Sequence, residues 1–251
     1  MSHNRRYHTV IFDVGGTLVG FEDDAPFAEF LATVHTPHLY ASATELRLKM
    51  IHTLSIRRDE AVGIGLDDAS INNWWLTIFT ELFPQNPDAA RRMWMLFKDN
   101  YFDSNFPDTI PVLERLKAQG VPMGIISNYG THLLDLLPKL ELFDYFNFVI
   151  VSAIVEVTKP HPRIFEIAIE EAGVPADQIL YVGDNYLDDI VGANNVGMDA
   201  VLINRPGRKP GTAAMVIDNL FDIEKLIYPK SYSENESEEQ IVHVRQPSDY
   251  W

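Results

Sequence analysis

An open, doubly wound α/β fold with an inserted helical domain is what this sequence predicts, on three observations. Five short runs are almost continuously apolar: Thr9 to Phe12, Met123 to Ile126, Phe148 to Val151, Ile179 to Val182 and Ala200 to Ile203. Helical patterns lie between most of them, as in a parallel sheet covered on both faces. Between the first and second runs, residues 21–104 carry helical periodicity and no strong strand signal.

Each element has a local reason. The first strand ends at Asp13, where Gly15-Gly16 supplies a turn. Asp24 precedes Phe27, Phe30, Leu31 and Val34, an i, i+3, i+4, i+7 set. Ser42 with Glu45 has capping-box spacing ahead of Leu46, Met50 and Leu54. Ile71, Trp74, Trp75, Ile78, Phe79 and Leu82 form an amphipathic stripe, and Asn86-Pro87 starts a helix carrying Ala90, Met93, Trp94 and Phe97. Beyond the insert, Val112, Leu113 and Leu116 fit a helix stopped by Gly120. Phe165, Ala168, Ile169 and Ala172 fit another, with Pro162 in its first turn and Gly173 past its end. The expected organisation is a core of 1–20 and 105–230, a helical cap at 21–104 and an acidic polar tail at 231–251 too poor in apolar residues to bury much. An insert after the first strand falls at the carboxyl edge of the sheet, where open α/β sheets bind ligands. It is expected to act as a lid.

Composition narrows the chemistry. The chain has 251 residues, 46% hydrophobic, enough for a full core. With no cysteine, thiol nucleophiles, disulfides, Cys-ligated zinc and iron–sulfur clusters are excluded. The formal charge of −16 argues against nucleic acid and anionic membrane as partners. An anionic small substrate remains compatible, since one local cation outweighs distant screened charge. The longest apolar stretch, Phe148 to Val155, is broken by Ser152 and far short of the ~20 residues of a membrane span. Met1 to His8 is polar and basic, unlike a secretory leader. The expected location is the cytoplasm, as a monomer or homodimer.

Polar groups cluster at the ends of the expected strands. Asp13 follows the first and Ser127-Asn128 the second; Lys159-Pro160 precedes a helix; Asp184, with Asp188 and Asp189, follows Gly183. Converging carboxylates without His or Cys make a hard oxygen site that suits Mg2+. A carboxylate nucleophile, a metal and a lysine together suit phosphoryl transfer.

The set Asp13-Val-Gly-Gly-Thr17, Ser127-Asn128, Lys159-Pro160 and Gly183-Asp184-Asn185-Tyr-Leu-Asp-Asp189 resembles the four motifs of the haloacid dehalogenase (HAD) superfamily. Lys159-Pro-His-Pro-Arg-Ile-Phe165 and Asp189-Ile-Val-Gly-Ala193 resemble its usual phrasing too. The likeness covers 9–20 and about 107–205. It implies a Rossmann-like core and an Mg2+-dependent phosphatase acting on a small phosphorylated metabolite. Asp13 would attack phosphorus, Asp13, the Gly15 carbonyl and Asp184 would hold Mg2+, and Asp189 would be a ligand or support one. Ser127 and Asn128 would hold the phosphoryl oxygens, and Lys159 would neutralise developing charge.

One position departs from the pattern. Phosphatases of the superfamily usually carry a second aspartate two residues after the nucleophile, which protonates the leaving group and then activates water. Here that place is Gly15. The loss is worth about 10²–10⁴-fold in rate. It points to substrates with good leaving groups, such as acyl or aryl phosphates, or to a proton from the substrate or cap. Two other classes stay open: a non-catalytic regulatory or binding protein on this fold, and dehalogenase or phosphonatase chemistry, the latter needing a cap lysine such as Lys49 or Lys98. Several residues read as structure. Thr17 is expected to bond backbone, Trp74 and Trp75 to fill the cap core, Arg57-Arg58 to be solvated, and Arg205, Arg208 and Lys209 to lie in a surface loop. Asn185 either orients Asp184 or satisfies a helix start. His35 and His38 have no metal spacing, and none of the eight histidines is expected to be catalytic.

Overall fold

The computed structural model describes residues 5–34, 39–57, 68–205 and 215–229. His35, His38, Arg58, Arg208, Lys209 and the acidic segment 231–251 lie outside them.

The core is a six-stranded sheet of β1 (Thr9–Phe12), β4 (Met123–Ser127), β5 (Phe148–Val151), β6 (Ile179–Gly183), β7 (Asp199–Ile203) and β8 (Met215–Ile217), in the order β5-β4-β1-β6-β7-β8. Every neighbouring pair is parallel. The chain starts at β1, builds outward through β4 to β5, then returns to lay β6, β7 and β8 on the other side. That reversal opens a crevice at the carboxyl ends of the central strands.

The alternation of side chains explains why the strands read as unbroken apolar runs. Val10 and Phe12 of β1, Leu180 and Val182 of β6, and Val201 and Ile203 of β7 enter one core cluster. Ile11, Tyr181, Ala200 and Leu202 enter another on the opposite face. Both faces are dry, so period two carries no polar signal. Helices α5 (Thr109–Ala118), α6 (Leu133–Lys139) and α10 (Ile223–Ile227) supply residues to the first cluster. Helices α8 (Pro162–Ala172) and α9 (Gly192–Asn195) supply the second; the single turn α7 (Ser152–Val155) follows β5.

The insert contains α1 (Ala25–Thr33), α2 (Ala43–Arg57), α3 (Asp68–Leu82) and α4 (Pro87–Lys98). Phe27, Phe30, Leu46, Phe79 and Met93 build an apolar cluster of its own. The capping spacing at α2 is used with a shift: Ser42 Oγ accepts from Glu45 N at 3.1 Å, but the Glu45 carboxylate reaches back to Ala41 N at 2.7 Å. Asp24 precedes α1 without capping it; its carboxylate instead accepts from Thr44 and Arg47 of α2. The two connections between insert and core run side by side as a minimal antiparallel pair, β2 (Val19–Gly20) and β3 (Ser104–Asn105).

Arg205 corrects the surface-loop reading. It is buried, donates to Asp108 Oδ2 at 2.8 Å and to the Thr17 carbonyl at 2.5 Å, and lies 3.9 Å over the Phe106 ring. Asp108 Oδ2 also accepts from Leu220 N at 2.8 Å. One guanidinium thus ties the loop after β1 to the second connection of the insert. Arg205→Ala leaves Asp108 buried without its cation, which costs about 3–5 kcal/mol. Denaturant unfolding at neutral pH is expected to show that loss; a variant as stable as wild type would refute the brace.

Candidate active site

The sheet places the four polar groups of the sequence around one point. Asp13 follows β1, Ser127 ends β4, Asp184 follows β6, and Lys159 comes from the loop before α8. All four are buried and line a single cavity of about 200 Å³.

Lys159 is the hub. Its Nζ donates to Asp13 Oδ1 at 2.8 Å, to Asp189 Oδ1 at 2.6 Å and to the Tyr181 hydroxyl at 3.1 Å. Burial alone would lower the ammonium's pKa; the Asp13 and Asp189 carboxylates outweigh it and hold it well above the ordinary lysine range. Lys159 therefore stays a cation and is no base. Burial pushes the Asp13 carboxyl up, the pull of Lys159 opposes it, and the nearby Asp189 charge adds to the rise.

Asp189 is committed on both oxygens: Oδ1 to Lys159 and Tyr181, Oδ2 to the Asn185 amide N–H at 2.9 Å. Gly183 makes room for it. A Cβ at 183 would lie 2.3 Å from the Asp189 carboxyl carbon. This favours Asp189 as support over Asp189 as ligand. Asn185 caps the turn that follows, its Oδ1 accepting from Leu187 N and Asp188 N at 3.0 and 3.3 Å, which is the helix-start reading.

Asn128 lines the cavity, yet its amide clamps the Lys159 backbone: Nδ2 donates to Lys159 O at 3.0 Å and Oδ1 accepts from Lys159 N at 2.8 Å. It positions Lys159, a task the sequence reading did not give it. Thr17 also differs from expectation, donating through Oγ1 to Asp13 Oδ2 at 3.3 Å rather than to backbone. Gly15 is exposed at the cavity, and a Cβ built there meets nothing within 4 Å. The missing side chain leaves open space.

The donor set fits a hard divalent cation. Asp13, Asp184 and Asp189 each offer a carboxylate oxygen, and these lie within 4.8 Å of one another. With Asp188 they make four acids among the described lining residues, where Lys159 is the only lysine or arginine. A surplus of buried negative charge calls for a cation.

Sequence reasoning missed part of the wall. Ile71, Trp74 and Trp75 of α3 face the cavity from the insert, and Tyr129 and His132 from the core. The assignment of the two tryptophans to core alone is thus incomplete: they pack on the insert cluster and also line the site. Tyr181 was visible in principle, since a lone hydroxyl in a buried strand needs a partner. The amines proposed for Schiff-base chemistry, Lys49 and Lys98, are exposed and not among the cavity's described lining residues. Arg57 pairs with Glu81 instead of facing a ligand.

Asp103, in the connection between α4 and β3, gives the site's surroundings a pH signature. Its Oδ2 is buried without a hydrogen-bond partner among the described residues, and burial pushes the carboxyl up to about 7 against the pull of Lys139. The folded chain then holds this proton more tightly than the unfolded chain. The stabilisation is full below the ordinary carboxyl range and is lost as pH rises towards about 7. Asp103→Asn is expected to raise the melting temperature over wild type at about pH 8 and not at about pH 4. An equal shift at both would contradict it.

A family model described as haloacid dehalogenase-like hydrolase matches residues 7–197. The chain is similar to haloacid dehalogenase-like hydrolase domain-containing protein 3 of Bos taurus, 27% identical over 215 residues, 82% of this chain and 85% of that protein. It is 33% identical over 131 residues to glyceraldehyde 3-phosphate phosphatase of Methanothermobacter thermautotrophicus, a match spanning 49% of this chain and 58% of that one. Among solved structures, a HAD phosphatase from Thermococcus onnurineus superposes with a TM-score of 0.59 at 30% identity, covering 87% of this chain and 96% of its own. A 2-haloacid dehalogenase from Pseudomonas syringae gives 0.56 at 26% identity, covering 88% and 97%. Among the described residues no helix is long and apolar enough to cross a membrane.

Proposed function

The chain belongs to the haloacid dehalogenase-like hydrolase family, and on that premise we propose that this hydrolase is an Mg2+-dependent phosphatase working through a phosphorylated Asp13, on a small phosphorylated metabolite with a good leaving group. The observation that carries the reading is the trio Asp13, Asp184 and Asp189 within 4.8 Å beside Lys159. Asp13 Oδ attacks phosphorus, the bond from phosphorus to the leaving oxygen breaks, and its electron pair departs with that oxygen. Water then attacks phosphorus, the bond to Asp13 breaks with its electron pair returning to the carboxylate, and phosphate leaves carrying the water's oxygen and protons. Lys159 and Thr17 hold the Asp13 carboxylate in place for attack, and Ser127 lines the space for phosphoryl oxygens. Asp13, Asp184 and the Gly15 carbonyl would hold Mg2+, which would supply charge neutralisation for the carboxylates and the phosphoryl group. The insert, presenting α3 to the cavity, would open to admit substrate and close to limit water.

Dehalogenation of a haloacid fits less well. It would leave Asp184 as a further negative charge beside the nucleophile, with no use for it in that chemistry. A haloacid's carboxylate would also need a cation, and the only lysine or arginine among the described lining residues, Lys159, already serves Asp13 and Asp189.

The test is phosphate release from p-nitrophenyl phosphate and acetyl phosphate, with Mg2+ and with chelator. Chelator-sensitive release is expected; no release from either would overturn the reading. Gly15→Asp adds a second arm. The open space at position 15 admits the side chain. Restoring the acid is expected to raise turnover of alkyl phosphates by about 10²-fold, with a smaller gain for acetyl phosphate. Equal gains on both would mean that proton transfer to the leaving group is not what the site lacks.

A further inference from the structure

We infer that the substrate carries its phosphate on a small, uncharged, planar ring, bound between two aromatic walls of the cavity; this rests on the phosphatase reading above and names the substrate class of that site. The cavity lining is of two kinds. One is the acidic cluster with Lys159. The other is aromatic: Trp74 and Trp75 come from the insert, Tyr129 and His132 from the loop after β4. Each pair is internally braced. The tryptophan rings lie edge to face with centroids 5.0 Å apart, and the Tyr129 and His132 rings are 4.8 Å apart. Trp75 is further fixed against Phe97 at 4.0 Å and stacked on Phe79 at 5.7 Å. Aromatic rings so held recognise a flat ring by offset or edge contacts at little entropic cost.

Three further observations define the ring. The cavity, about 200 Å³, lies below the range of ordinary small-molecule sites and suits a phosphoryl group with one ring, not a nucleotide. Among the described lining residues the only lysine or arginine is Lys159, which two carboxylates already occupy, so none of that kind is left there to pair with a second anionic group. The open space at Gly15 lies at the same cavity, where an acid for the leaving oxygen is absent. An aryl or enol-type oxygen leaves without that acid, because its negative charge delocalises into the ring.

The experiment compares kcat/KM of the full chain with Mg2+ for phenyl, hexafluoroisopropyl, 4-carboxyphenyl and acetyl phosphate. Phenol and hexafluoroisopropanol are of similar acidity, so the ratio of the first two esters reads ring recognition and not the leaving oxygen. Phenyl phosphate is expected to exceed hexafluoroisopropyl phosphate by about ten-fold and 4-carboxyphenyl phosphate by at least as much. Trp75→Leu is expected to lower the phenyl-to-acetyl ratio by about ten-fold, mainly through the KM for phenyl phosphate. Trp74→Leu, whose ring has fewer aromatic neighbours, serves if the first variant misfolds. Acetyl phosphate hydrolysis with equal phenyl and hexafluoroisopropyl values would overturn the ring while leaving the phosphatase standing. Preference for the carboxylated ring would overturn its uncharged character. No release from any of the four would remove both readings.

Discussion

Asp13→Asn is expected to lower phosphatase turnover by at least about 10⁴-fold while leaving the fold intact. An amide oxygen cannot form the acyl phosphate that a carboxylate forms. The structure keeps the two effects separable. Lys159 loses one anionic partner but retains Asp189 at 2.6 Å and the Tyr181 hydroxyl at 3.1 Å. The buried ammonium thus keeps a counter-ion, and thermal unfolding is expected within a few degrees of wild type. Turnover close to wild type in this variant would end the covalent mechanism.

Lys159→Met is expected to do more damage, to stability as well as to rate. It leaves the buried Asp13 and Asp189 carboxylates without the cation that now lies 2.8 and 2.6 Å from them. Removing one partner of a buried pair costs about 3–5 kcal/mol, and here two anions share the loss. The same reasoning predicts a partial rescue. A divalent cation bound only by the folded chain stabilises it by mass action, and its effect grows when the competing ammonium is gone. Millimolar Mg2+ should therefore raise the melting temperature of Lys159→Met more than that of wild type. Equal stability of the two proteins without Mg2+ would mean that the carboxylates are not charged together in the folded state.

Much of this architecture is legible in the sequence because it is local. The five apolar runs are strands to within a residue at either end, since a strand buried on both faces writes its length directly into composition. The edge strand Met215–Ile217 was not read. Ala213 to Ile217 is continuously apolar, but the strand itself is only three residues long and follows a Pro/Gly-rich run, so its signal is short and reads as part of a loop. The two-residue pair of β2 and β3 is too short for any periodicity. The helices of the insert were visible from their stripes, but not what they cover. That Ile71, Trp74 and Trp75 face Asp13 and Ser127 follows from how the insert folds back on the sheet edge, which no helical period records.

The site divides in the same way. Asp13, Ser127 and Asp184 are found from sequence because each stands at the end of an apolar run, and Lys159 because Lys159-Pro160 precedes a helix. Asn128 is legible as a cavity residue, but its clamp on Lys159 is not, since that joins two loops distant in the chain. Asp189 carries the family's motif, yet only the structure shows its carboxylate held by Lys159, Tyr181 and the Asn185 amide. Arg205 read as a loop cation because the sequence does not reveal Asp108 and the Thr17 carbonyl around it.

The central claim is a covalent bond between phosphorus and the Asp13 carboxylate. It is tested by mixing the protein with Mg2+ and acetyl phosphate, quenching in acid during turnover and reducing with borohydride. Reduction of an acyl phosphate converts the aspartyl residue to homoserine. The account predicts that mass change on the peptide containing Asp13, dependent on substrate and absent from Asp13→Asn. Phosphate release at full rate with no reduced residue at 13, or with the change at another acid, would contradict it.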